Sequence, residues 1–351
     1  MSNNPKISVI MTIFNGERFV GMAIDSILNQ TMKDFEFIIV DNASTDRTKE
    51  IVSAYSDSRI IFIKNTTNLG QTKALNIGIK ISKGEFIARM DADDISLPER
   101  LQIQYTHMMK NDSLAVLGSW FLEIDEKGKT IRKFTLPTNP LEIKCFLLGS
   151  SNLSYQCVPH PIVLMRKKAL FEVGLYSEDY LAQDYDLWVR LSRRHPIANL
   201  DKVLFKYRIY QDSQSHNFPK EFFKDCTKII MNNIKHYRPD LKEEDHLCLM
   251  RMLTFLPQNS KPEGQKALLL FEDFFNRALL QYRQYSKIKR IKDRMKMYYL
   301  PRLFLTNKVL SIKIALRVII SQPWILLNKK LYAKIFKKSR AEWNIQQNKY
   351  S

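Results

Sequence analysis

Three carboxylates crowd into four residues at Asp91-Ala92-Asp93-Asp94. They follow the apolar run Phe86-Ile87-Ala88 with no turn signal between, so they stand where a buried strand emerges. Charges this close repel, and capping the helix that begins near Pro98 would employ one aspartate, not three. A divalent cation removes the conflict. Mn2+ or Mg2+ takes hard oxygen ligands and binds through one or two carboxylates together with substrate phosphates. The cluster therefore predicts a metal and a diphosphate-bearing ligand. Thr12 to Arg18 holds neither a dinucleotide-binding glycine pattern nor a phosphate loop, which leaves phosphate binding to the metal. Asp41 ends an earlier apolar run. Its two acceptor oxygens suit a pyrimidine N–H or ribose hydroxyls, and a plain turn before Asn42 is the other reading.

The elements that must carry these groups alternate. Ile7–Ile13, Phe35–Val40, Ile60–Ile63 and Phe86–Met90 read as strands. Between and after them Glu17–Asn29, Asp46–Tyr55, Thr72–Ile81 and Pro98–Met109 read as helices, the last with Ser96 as cap. This repetition predicts an α/β fold with a mainly parallel central sheet flanked by helices. In such sheets ligands gather at the carboxyl ends of the strands. Polar residues fall there: Thr12 to Asn15, Asp41 to Ser44, Asn65 to Gly70 and Asp91 to Asp94. Further on, Leu114–Trp120 and Ile162–Met165 read as strands, and everything from Phe218 as helical.

Composition divides the chain differently. Its net charge is +19, yet residues 218–351 hold 28 Lys and Arg against 11 Asp and Glu, leaving residues 1–217 nearly neutral. Two regions are expected, a catalytic domain over 1–217 and a basic helical C-terminal region over 218–351. With 45% hydrophobic and 26% charged residues, wholesale disorder and a polytopic membrane protein are both disfavoured. The four cysteines have neither zinc-site spacing nor the density of a disulfide scaffold, and the polar start of the chain does not read as a signal peptide. A cytoplasmic protein is expected.

Taken in order, Thr12-Ile13-Phe14-Asn15, Val40-Asp41-Asn42-Ala43-Ser44-Thr45-Asp46, Asn68-Leu69-Gly70 with Ala74-Leu75-Asn76-Ile77-Gly78, Asp91-Ala92-Asp93-Asp94, and Gln183-Asp184-Tyr185-Asp186-Leu187-Trp188 resemble glycosyltransferase family 2, inverting enzymes of the GT-A fold. The resemblance covers about Ile7 to His216. It implies that Asp41 contacts the base, Asp91 lies near the ribose, Asp93 binds the metal with Asp94 in support, and Asp184 is the general base. Thr12, Phe14, Asn15 and Asn68 then belong to the nucleotide site. Leu187, Trp188 and Leu191 form an apolar face that anchors the helix of Asp184, whose N–H groups favour an ionised carboxylate. Asp186 is spaced to pair with Arg190.

The match has gaps. Relatives often carry Glu where Gln183 stands, and a His two residues after a Tyr-Arg pair where Tyr207-Arg208-Ile209 leads to Tyr210. His216 is the remaining candidate for that metal ligand. His160 resembles a position facing the acceptor, with a packed, hydrogen-bonded ring as the alternative; Lys73 either touches phosphate or is a solvated helix lysine. Tyr155 and Trp120 suit the sugar pocket and the core equally.

From Tyr285 to Arg340 sixteen Lys and Arg face one acid, Asp293, among apolar runs. Ser311–Leu327 is interrupted by Lys313, Arg317 and Pro323, against the about 20 apolar residues of a spanning helix. An interfacial helix on an anionic membrane, with Trp324 at the headgroups, fits better, and a solvated appendage is the alternative. No nucleic-acid motif accompanies the charge. The expected activity is inverting transfer from a nucleoside-diphosphate sugar, UDP-linked, to a hydroxyl of a glycan or lipid-linked glycan in surface polysaccharide biosynthesis. The expected place is the inner face of the cytoplasmic membrane. A metal-dependent sugar nucleotidyltransferase and a non-catalytic membrane scaffold remain the alternatives.

Overall fold

The computed structural model describes residues 4–149, 157–210, 220–253 and 264–279. Strands β1 (Ile7–Ile13), β2 (Phe35–Asp41), β3 (Ile60–Lys64) and β4 (Phe86–Asp91) alternate with helices α1 (Val20–Leu28), α2 (Thr48–Ser53) and α3 (Gln71–Ile81). They pair in parallel in the order β3-β2-β1-β4. Both faces of β1, β2 and β4 are covered, which is why these strands read as mostly apolar runs, broken only by Ser8 and Thr12, Glu36 and Arg89 before their polar ends. Val20, Ala23, Ile24 and Ile27 form the buried stripe of α1 at helical spacing. Helix α3 lies close on the sheet because Gly78 has no side chain: a Cβ there would meet Ile10 at 2.8 Å.

Beyond β4 the sheet is mixed, not mainly parallel. It continues through β8 (Leu164–Arg166), β6 (Val116–Ile124), β9 (Ile197–Arg208) and β5 (Ile95–Ser96), with β7 (Thr130–Phe134) paired to β6. The β6–β9 pairing is parallel, whereas β4–β8, β6–β8, β6–β7 and β5–β9 are antiparallel. The βαβ repetition that suggested a parallel sheet stops at Pro98, and β5 and β8 are too short to show a periodicity. The segment read as a strand over Ile162–Met165 is a 3-10 turn, His160–Ile162, followed by β8.

Helix α4 spans Arg100–Met109, and Ser96 does not cap it because Ser96 pairs with β9. The cap comes from elsewhere: the buried Gln30 side chain accepts the Leu101 N–H at 3.0 Å and donates to the Leu97 carbonyl at 2.8 Å. The remaining helices are α5 (Pro140–Gly149), α6 (Lys167–Glu172), α7 (Gln183–Ser192), α8 (Lys220–Tyr237), α9 (Glu243–Leu253) and α10 (Gly264–Leu279).

The described residues group into two compact units that divide between Ile229 and Ile230, inside α8. In the second unit Arg238 pairs with Asp240 at 2.9 Å and with Asp273, and the His246 ring meets the Arg238 carbonyl at 2.7 Å. Among the described residues no helix is long and apolar enough to cross a membrane. The basic stretch Tyr285 to Arg340, with Ser311–Leu327 and Trp324, lies outside the described residues.

Candidate active site

Register brings the first functional groups together. Thr12 stands opposite Val40 on one side and Asp91 on the other, and Ile13 opposite Asp41, so three parallel strands end on one rim. The loops beyond are stitched by side chains. Asn15 sits at φ 54° and its amide oxygen accepts the Thr45 N–H at 2.8 Å, while its own N–H donates to the Ser44 hydroxyl at 2.9 Å. Asn42 donates to the Asn68 side chain at 2.6 Å and accepts the Leu69 N–H at 3.0 Å. Ala43, at φ 65°, holds a left-handed conformation that alanine adopts at a cost, and it does so two residues after Asp41. Asn15 and Asn68 are thus employed inside the loops, while Thr12 is half-buried and Phe14 is 51% exposed.

Asp41 is fully buried. Its Oδ1 accepts the Ser44 N–H at 3.2 Å, but Oδ2 receives no hydrogen bond among the described residues, and the Lys49 ammonium stays 3.9 Å away. A buried carboxylate oxygen left without a donor is costly, so the loop suits a donor that the described residues do not supply.

The acidic cluster shows the same deficit. Asp91, Asp93 and Asp94 can each offer an oxygen with all three within 4.8 Å of one another. The Arg208 N–H donates to Asp94 Oδ1 at 2.7 Å, and Asp94 Oδ2, also buried, accepts no hydrogen bond among the described residues. Burial and then the Asp91 charge push the Asp93 carboxyl up to about 6, against the Tyr210 hydroxyl that donates to it. Burial, followed by the Asp93 and Asp91 charges, holds Asp94 well above the ordinary carboxylate range. A hard divalent cation fits this set: it would satisfy the bare Asp94 oxygen and cancel the repulsion.

Two arginines frame the cluster: Arg89, which the sequence did not single out, and Arg208 of the Tyr207-Arg208 pair. Arg89, 1% exposed, pairs with Asp91. Arg208, also buried, donates from Nε to the Asp93 carbonyl at 2.7 Å and from Nη1 to the Asp125 and Glu126 carbonyls at 2.9 Å. Tyr210 occupies the place where relatives were expected to carry His, and its hydroxyl meets Asp93. His216 lies outside the described residues, as does Tyr155.

The proposed base stands on α7. Trp188 is fully buried with its indole N–H on the Val158 carbonyl at 3.1 Å, and the Tyr185 hydroxyl donates to the Leu147 carbonyl at 3.2 Å, so the helix is anchored as its apolar face suggested. Asp186 pairs with Arg190 at 2.6 Å. Asp184 accepts the Tyr185 N–H at 2.8 Å, but burial outweighs this and raises its carboxyl to about 6. The backbone N–H groups do favour the ionised form, but desolvation outweighs them, which brings the group closer to the range useful to a base.

His160 is the packed ring. It is 9% exposed, meets the Tyr176 hydroxyl at 2.7 Å, and is held neutral by burial. Lys73 is exposed and lies 3.6 Å from Glu178. Trp120 donates its indole N–H to the Leu136 carbonyl at 3.0 Å. Gln183, in place of the usual Glu, reaches the Gln71 side chain at 3.1 Å and joins the starts of α3 and α7.

Residues 8–173 match the family model described as Glycosyl transferase family 2. The O-antigen biosynthesis glycosyltransferase WbnJ of Escherichia coli is 36% identical over 214 residues, covering 59% of this chain and 81% of the relative. The chain belongs to glycosyl transferase family 2. As a member of that family it has GT-A-like neighbours among solved structures. Staphylococcus aureus TarS 1–349 in complex with UDP-GlcNAc superposes with TM-score 0.57 at 21% identity, covering 89% of this chain and 90% of that one. The mannosyltransferase PcManGT of Pyrobaculum calidifontis, in complex with GDP-Man and Mn2+, superposes with TM-score 0.50 at 13% identity, over 91% and 88% of the two chains. In this glycosyltransferase the family match ends at residue 173, so Asp184, Arg208 and Tyr210 lie beyond it.

Proposed function

We propose that this family 2 glycosyltransferase is an inverting enzyme that transfers a sugar from a UDP-sugar to a hydroxyl of a glycan or lipid-linked glycan in surface polysaccharide biosynthesis. The observation that carries this reading is geometric: Asp91, Asp93 and Asp94 bring carboxylate oxygens within 4.8 Å of one another at the ends of the parallel strands, and Asp94 Oδ2 is buried with no hydrogen bond among the described residues. Asp184 takes the proton of the acceptor hydroxyl as that oxygen attacks the anomeric carbon. The bond from that carbon to the diphosphate breaks on the opposite face, and the configuration inverts in one displacement. Asp41 offers its bare oxygen to an imide N–H of the base or to ribose hydroxyls, and Asp91 lies toward the ribose. Asp93 and Asp94 would hold Mn2+ or Mg2+, with His216 as a further candidate; the ion supplies positive charge against the departing diphosphate. Thr12 and Phe14 line the nucleotide side, and Asn15 and Asn68 shape its loops.

UDP-GlcNAc in TarS supports the donor class, Mn2+ in PcManGT supports the ion, and the O-antigen assignment of WbnJ supports the acceptor class. The basic C-terminal region is assigned to an anionic membrane surface on the cytoplasmic side, on its charge. A thermal-shift screen over UDP-, GDP- and dTDP-sugars with and without Mn2+ tests the reading. UDP-sugars are expected to stabilise most, and only with the ion. Stabilisation by a nucleoside triphosphate and a sugar 1-phosphate, with pyrophosphate released, would replace it by nucleotidyl transfer.

A further inference from the structure

The segment that delivers the base is clamped at both ends. At Tyr176 the Asn76 side chain of α3 grips the backbone twice, donating to the Tyr176 carbonyl at 2.9 Å and accepting its N–H at 3.2 Å. At Leu181 the backbone N–H donates to Asp225 Oδ2 at 2.8 Å. Asp225 sits in the first half of α8, beyond both the family match and the 1–217 boundary expected from charge. It is 7% exposed, and its other oxygen lies 3.3 Å from Lys228. Next to it, Cys226 is fully buried and close enough to Asp184 to feel its charge.

Packing alone does not account for this carboxylate. Phe222, Cys226 and Ile229 already give α8 a buried apolar face, and a buried carboxylate is a net loss unless it is bound. Its bond goes to the amide of a residue whose own side chain is 54% exposed, so Leu181 is held by its backbone. Leu181 is followed by the buried Ala182, whose carbonyl accepts the Asp186 N–H at 3.0 Å and starts α7. A shift at Leu181 therefore passes directly to Asp184.

We propose that Asp225 is a positioning residue for the base: its buried carboxylate fixes the Leu181 amide and thereby the start of the helix that carries Asp184. The helix opening the basic C-terminal region is on this account part of the catalytic apparatus. The inference rests on Asp184 being the base. The test uses the full chain, Mn2+, and whichever of UDP-GlcNAc, UDP-Glc, UDP-Gal and GDP-Man gives the largest thermal shift, with nucleotide release as the rate and calorimetry for donor affinity. Asp225→Ala is expected to lower kcat about tenfold, the scale of a small misplacement of a reacting group, with donor Kd within about twofold. Asp225→Asn keeps an oxygen for the Leu181 amide and recovers most of the rate; Lys228→Ala changes little. In hydrogen exchange, amides 177–186 open faster in Asp225→Ala while 86–94 do not change. An unchanged kcat, equal losses for Ala and Asn, or unchanged exchange at 177–186 overturns the proposal. Turnover that survives Asp184→Asn, or a wild type inert toward all four donors, overturns the base assignment itself, and the proposal falls with it.

Discussion

The two sides of the site are built on opposite principles. On the side proposed for the nucleotide, parallel strands push carboxylates to a rim, and Asp41 Oδ2 and Asp94 Oδ2 are buried with no hydrogen bond among the described residues. On the side proposed for the acceptor, Trp188, Tyr185, Asp186 and His160 each have a partner within the protein, and burial raises the carboxyl of Asp184, the proposed base. On the proposed reading, ligands complete the first side, and internal hydrogen bonds fix the second without them. Specific donors and cations supply the missing charges and hydrogens of the first, whereas a base needs fixed geometry more than it needs partners.

Variants can break this contrast. The largest effect is expected from Asp184→Asn, which keeps the fold and the Mn2+-dependent thermal shift with a UDP-sugar but lowers transfer by about 10³-fold, within the range for losing a general base. Retained transfer would remove Asp184 from the chemistry. Asp93→Ala should erase the Mn2+-dependent part of donor affinity, about 100-fold by calorimetry, and raise the melting temperature of the metal-free protein by relieving repulsion. Equal binding with and without Mn2+ in the wild type would count against the cluster. Asp41→Ala is expected to weaken UDP binding about tenfold, on the scale of a hydrogen bond to a charged group, while leaving Mn2+ dependence intact.

The smallest effect concerns pH. Asp93 and Asp184 titrate near 6 in the fold against 3.8 for an unperturbed carboxyl, so the folded state binds more protons between those values. Their contribution to stability is complete below about 3.8 and is lost as pH rises through about 6. Relative to Asp93→Asn, the metal-free wild type should lose a few degrees in melting temperature over that window, and Mn2+ should restore them at neutral pH. Transfer should rise over the same window as Asp184 ionises.

What could be read without coordinates followed the physics of each region. Strands β1, β2 and β4 were legible because burial on both faces leaves mostly apolar runs, and β3 because it is apolar from Ile60 to Ile63; their polar ends named the rim. Asn76 and Gly78 stood out only as parts of a motif; one grips Tyr176 and the other lets α3 approach Ile10. Strand β9 was missed because Asp201 and Lys202 interrupt it with exposed charge, and its pairing to β6 shifts register near Trp120. Arg208 and Tyr210 were visible only as a departure from the family pattern, and their contacts with Asp93 and Asp94 depend on that pairing. The cap that Gln30 gives α4 joins positions 71 residues apart, beyond any local pattern.

Asp94 is gripped by the backbone of Arg208, 114 residues downstream. A growing chain therefore exposes its acidic cluster long before the strand that closes around it has been made. Elongation at roughly 5–20 residues per second leaves several seconds in which three aspartates repel in open solvent. Domain completion, not local folding, then sets the moment of ligand competence, and chains released before β9 should show no Mn2+-dependent protection from protease.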